Sequence, residues 1–101
     1  MSFRKNSEWN ELNELRSLMI FKKLESESFP RNKQMEYCKN MASKTNLDAG
    51  NISAKVSNYK SVAGINKPSN ASVETKETFK KYGRLSLLEL EDVISKLTTG
   101  L

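Results

Sequence analysis

Between Leu47 and Gly64 the side chains able to hydrogen-bond recur at the spacing of one helix face. At about 100° per residue, Ala49, Ile52, Val56, Tyr59 and Ala63 fall on one side as a stripe to be buried. Gly50, Asn51, Ala54, Ser57, Asn58 and Ser61 fall on the other, with Lys55 on one flank and Ser53 and Lys60 on the opposite one. After Asp48 this segment has no carboxylate. Solvated helix faces are usually stocked with Glu, Lys and Gln, which favour the helix and keep it soluble. Asn and Ser are poor helix formers, and their use here fits hydrogen bonding to base edges and phosphates in a DNA major groove. The competing reading is a helix face that lies against another part of the same protein.

Catalytic chemistry has little to work with. The chain contains no histidine, the commonest general base, metal ligand and triad member. Glu8, Glu11 and Glu14 are spaced along one helical segment, and Glu89, Glu91 and Asp92 flank apolar positions on another, so both sets read as solvated faces. No acidic pair joined to a strand and a lysine suggests a magnesium site. Cys38 has no second cysteine to pair with and sits at a helical apolar position, as a small core residue. The expectation is a binding protein, not an enzyme, with neither cofactor nor metal.

The formal net charge of +5 is unevenly distributed. Residues 1–29 carry five basic and five acidic side chains, whereas residues 30–83 carry ten basic and four acidic ones, a net of +6 around the unusual segment. A basic middle favours a polyanion, and nucleic acid is the commonest one in the cytosol. No apolar run is long enough to cross a bilayer, and Met1-Ser2-Phe3-Arg4-Lys5-Asn6 lacks the apolar centre of a secretory signal. A cytoplasmic location without membrane contact is expected.

The elements that must position these residues are all helical. At 101 residues the chain makes one domain, 1–101, with a single modest core. Ser7 is a candidate N-cap for a helix over 7–24, with Trp9, Leu12, Leu15, Leu18, Met19 and Leu24 facing inward. Pro30 suits the first turn of a helix over 31–43, whose inner stripe is Met35, Cys38, Met41 and Ala42. Asp48 caps the unusual helix, 48–61, only a few residues later, a spacing that resembles a helix-turn-helix. Residues 65–71 form a polar, positive loop containing Lys67. Ser72 caps a helix over 73–82, with Val73, Phe79 and Tyr82 inward and Gly83 at its end, and Ser86 with Glu89 forms a capping box for a helix over 87–98. That last helix, with Leu87, Leu88, Leu90, Val93, Ile94 and Leu97, has more apolar residues than one stripe requires. The fold class is therefore all-α, about five helices, with a tri-helical core and a helix-turn-helix-like pair.

The order of these features resembles a small helical module found ahead of HNH nuclease domains in bacterial restriction-type endonucleases. The resemblance rests on Trp9 with Glu11 and Leu12, on Gly50 through Val62, on Gly64-Ile65-Asn66 followed by Ala71-Ser72, and on Phe79 with the final apolar helix. Asn51, Ile52, Lys55, Asn58 and Tyr59 match the module's central pattern position by position, while Val62-Ala63-Gly64 stands where the module has leucine, aspartate and proline. The resemblance implies a DNA-contacting accessory domain of bacterial or phage origin, with Lys55 and Asn58 as the positions to carry over. It does not imply cleavage, because an HNH centre needs histidine; a nuclease part is either absent or lies beyond Leu101.

Together these readings predict a domain that binds double-stranded DNA through its third helix. Lys44, Lys55, Lys60 and Lys67 are expected at phosphates, and Asn51, Ser53, Ser57 and Asn58 at the groove floor, Asn58 being suited to adenine. The rival expectation is a small protein-binding module or inhibitor that docks, or self-associates, through the apolar C-terminal helix.

Overall fold

The computed structural model describes residues 9–65 and 71–99. Among them the chain forms five helices and no strand: α1 (Glu11–Ser26), α2 (Lys33–Ala42), α3 (Ala49–Val62), α4 (Val73–Tyr82) and α5 (Leu87–Thr99). Ser7 and Lys67 lie outside the described residues. The protein is all-α.

Local chemistry sets the helix ends. Asn10 caps α1, its side-chain oxygen accepting from the Asn13 N–H at 2.8 Å. At the other end the Phe29 N–H reaches the Leu24 carbonyl (2.8 Å) and the Ser28 N–H the Glu25 carbonyl (3.1 Å), the paired bonds of a Schellman turn. Ser28 and Phe29 both adopt left-handed backbone here, with φ of 61° and 53°. The chain enters α2 through Asn32, also left-handed at φ 71°, so Pro30 precedes the helix and is not part of its first turn as the sequence suggests. Asp48 caps α3, accepting from the Asn51 N–H at 2.8 Å, and Gly64 ends it at φ 82° in a second Schellman turn. Ser72 caps α4, and Ser86 with Glu89 exchanges the two bonds of a capping box at the start of α5. Gly83 is needed for a different reason from Gly64: a Cβ there would overlap the carbonyl oxygen of Phe79.

α1 packs against all four other helices, and α3 packs against α1, α2 and α4, whereas α5 rests chiefly on α1. Leu15, Leu18, Phe21 and Leu24 of α1 meet Cys38 and Met41 of α2, Ile52, Val56 and Tyr59 of α3, and Leu90 of α5. Phe21 is the centre of an aromatic cluster, with the rings of Phe29, Tyr59 and Phe79 at 6.0, 6.4 and 6.1 Å.

Three burial assignments from the sequence are corrected. Met35 and Val73 are exposed, at 39% and 64%, and Glu14, expected on a solvated face, is 1% exposed. On α4 the buried positions are Thr75 and Thr78. Their hydroxyls face a polar interior that aliphatic side chains could not satisfy, because Glu14, Lys55 and Tyr59 meet there.

Candidate nucleic-acid interface

α3 is the second helix of the α2/α3 pair, and the connection over Ser43–Asp48 is longer than the three- or four-residue turn of a typical helix-turn-helix. Leu47 plugs that connection into the core, and the Thr45 hydroxyl donates to the Met41 carbonyl and accepts from the Leu47 N–H. With α1, α2 and α4 all against it, α3 presents only a narrow strip outward. Gly50, Asn51 and Ala54 are exposed on that strip, and Ser57, Asn58 and Ser61 are half-buried.

The lysines of α3 have unlike surroundings. The Lys55 ammonium donates to Glu14 Oε1 at 2.7 Å and to the Thr75 hydroxyl at 2.9 Å, and it lies 4.5 Å from the centre of the Trp9 ring. Its side chain is 11% exposed. The remaining Glu14 oxygen accepts from the Tyr59 hydroxyl at 2.5 Å. Lys55, expected at a phosphate, instead ties α3 to α1 and α4 with its charge matched inside the fold. Burial first, then the negative charge and hydrogen bond of Glu14, pushes the Tyr59 phenol well above its ordinary range, so it stays a donor.

On the opposite flank the partner is neutral. Gln34 of α2 donates through Nε2 to the Ser53 carbonyl (3.1 Å), the Ser53 hydroxyl (2.9 Å) and the Ser57 hydroxyl (3.2 Å), and its Oε1 accepts from the Lys60 ammonium at 2.5 Å. Lys60 also lies 5.3 Å from the Phe29 ring centre. Ser53, Ser57 and Lys60 are thus gathered around one amide, and the charge of Lys60 is held but not cancelled. Beneath them, burial pushes the Cys38 thiol up to about 11, opposed by Lys60 and a hydrogen bond with Ser53, which leaves it protonated and a poor nucleophile at neutral pH.

Lys44 is exposed at the start of the α2–α3 connection, where it lines a groove with α1 and α5 residues and not the α3 strip. Sequence reasoning passed over other cations nearer to α3. Lys76, Lys80 and Arg84 are exposed and share with Val62 of α3 a shallow hollow of about 400 Å³. Their spacing of four along α4 and its exit was a readable signal of one basic edge. Glu14 was also readable, since Glu14, Leu18 and Phe21 lie one above another on the helix. Among the described residues no three side chains of the His, Cys, Asp or Glu types come together as a metal site, and no helix is long and apolar enough to cross a membrane.

Comparisons with protein-family models, with curated proteins and with solved structures find no match for this chain.

Proposed function

We propose that this domain binds double-stranded DNA, with the outer strip of α3 facing the major groove and its basic flanks on the phosphates. The observation that carries the reading is that strip: exposed Gly50, Asn51 and Ala54, half-buried Asn58, and side chains short enough for a duplex to approach closely. Its nearest carboxylate along the helix, Asp48, is engaged as the N-cap. Lys60 keeps its charge beside Gln34, and Lys76, Lys80 and Arg84 extend the positive edge along α4. The resemblance to modules that precede HNH nuclease domains points the same way.

In this reading Lys60, Lys76 and Lys80 neutralise phosphates and set the register. Asn51 and Asn58 read bases, with Ser53 and Ser57 holding the helix on Gln34. Lys55 acts indirectly, by fixing α3 against α1. The domain binds without cutting, as its lack of histidine suggests.

Titrating labelled random duplex DNA at about 50 and about 200 mM salt tests this, since binding through three lysines should give a log–log slope of roughly −3. Replacing Lys76 and Lys80 together by Gln should flatten that slope by about 2. Asn58→Ala should leave the slope and reduce differences among sequences. No salt-dependent binding at the lower salt would overturn the proposal.

A further inference from the structure

Away from the α3 strip, α1, α2 and α5 enclose a groove of about 360 Å³. Its floor is apolar, formed by Met19, Ile20, Met41 and Ile94, and the two methionines make that lining adaptable. Positive charge is placed at two ends. Arg16 and Lys44 stand together at one, where the groove adjoins a polar hollow lined by Asn10, Asn13, Ser43 and Asn46. Lys23 stands at the other, 4.4 Å from the centre of the Tyr37 ring. On α1 the two ends are two turns apart, about 10 Å, with Met19 and Ile20 midway between them. Among the described residues none of these cations is in a salt bridge: Arg16 donates to the Asn13 side-chain oxygen at 3.2 Å, and Lys23 faces an aromatic ring. Glu91 is the single carboxylate lining the groove, which leaves a positive excess around an apolar floor.

From this arrangement we infer that the groove receives an acidic amphipathic helix of a partner protein, one that presents two adjacent apolar residues with a carboxylate one turn before them and another one turn after. On such a helix the two carboxylates are also two turns apart, so one meets Arg16 and Lys44 and the other meets Lys23 while the apolar pair covers the floor. Other occupants fit less well. An extended segment lays unpaired backbone N–H and C=O groups over an apolar floor, whereas a helix satisfies its own. A nucleic-acid backbone brings the charge but no apolar surface. An anionic amphiphile with one head group matches one end and leaves the other cation alone. Glu91 works against any acidic occupant, so it limits the affinity of the site. No α3 residue lines the groove, and the inference therefore does not rest on DNA binding.

Fluorescence anisotropy on the full chain without nucleic acid tests this with a labelled peptide of about 18 residues, built of Ala and Gln around one Glu-x-x-Leu-Leu-x-x-Glu segment. The expected dissociation constant lies between about 1 and about 100 µM at about 100 mM salt. Lys23 and Lys44 are exposed, so exchanging both for Glu should keep the helicity seen by circular dichroism and weaken binding at least about tenfold. Glu91→Gln should tighten it about twofold or more. Lys39→Glu, on α2 but outside the groove, should leave it within about twofold. Replacing the peptide's two leucines by Gln, or placing a proline before them to break the helix, should abolish binding. No binding below about 1 mM would overturn the inference. So would binding that survives loss of the leucines, an equal loss from Lys39→Glu, which marks diffuse charge attraction, or dodecanoate binding in the groove where the peptide does not.

Discussion

Lys55 and Lys60 stand five residues apart on one helix, and they meet opposite fates. Lys55 turns toward α1 and finds a carboxylate that is 1% exposed; Lys60 turns toward α2 and finds an amide oxygen. The first pairing cancels a charge and holds it in the interior, and the second orients a charge and leaves it in the surrounding field. A count of lysines therefore overstates how much positive potential α3 offers to a polyanion. The two flanks also differ in what they risk. The Glu14 side is a closed set in which a carboxylate is satisfied by Lys55 and Tyr59, with Thr75 at the same oxygen as Lys55. The Gln34 side is a half-exposed cluster around a neutral amide, where water can replace any lost partner.

The largest effect that separates the flanks should come from Lys55→Met. It strands the Glu14 carboxylate in the core, and breaking a buried pair in this way costs about 3–5 kcal/mol. Urea denaturation would measure it, and a loss below about 1 kcal/mol would place this pair with exposed salt bridges and erase the contrast. Adding Glu14→Gln should restore at least half of the lost stability, since the amide oxygen can accept from Tyr59 and the amide N–H can donate to the Thr75 hydroxyl while no charge remains buried.

The sequence disclosed one side of this contrast more readily than the other. Helical period and capping residues were enough for five helices, because Asp48, Ser72 and the Ser86–Glu89 box act on their nearest neighbours. The stripe of Ile52, Val56 and Tyr59 was equally readable, since it depends only on helical spacing. The partner of Lys55 was not, because Glu14 is 41 residues away in sequence and looks, by composition, like a surface acid. Gln34 was hidden for a similar reason: an amide on a polar helix gives no hint that it will span three residues of the next one. Val73 and Thr75 exchanged expected roles because apolar patterning cannot register a polar interior.

Alkaline titration sharpens the comparison, because each flank contains one group held protonated by the fold. Tyr59 reports the Glu14 side and Cys38 the Lys60 side. Both are raised in the folded state, so the unfolded chain loses these protons first and stability falls as pH rises. The Cys38 contribution is fully present below 9.0, its unfolded value, and is lost through about 11, its folded one. That of Tyr59 begins to fall at about pH 10 and continues beyond. Each group should contribute a slope of up to about 1.4 kcal/mol per pH unit in its own window. In urea titrations across this range, Cys38→Ala should remove the earlier decline and Tyr59→Phe the later one. A single decline removed entirely by either substitution would show that the two flanks do not titrate separately.

The smallest effect is expected from Gln34→Ala, and it asks most of the comparison. The substitution deletes the Gln34 hydrogen bonds that join Ser53, Ser57 and Lys60 to α2, yet all three are half-buried and water can take the place of the amide. A stability loss of about 1 kcal/mol follows, well below that of Lys55→Met. The charge of Lys60 is unchanged by the loss of a neutral partner, so the salt slope of DNA binding should stay as it was. Lys60→Met should lower that slope by about one, whereas Lys55→Met, in whatever fraction remains folded, should not alter it. If Lys55→Met flattened the slope as much as Lys60→Met, the ammonium at Glu14 would be acting on the duplex after all, and the distinction between a matched and an unmatched lysine would fail.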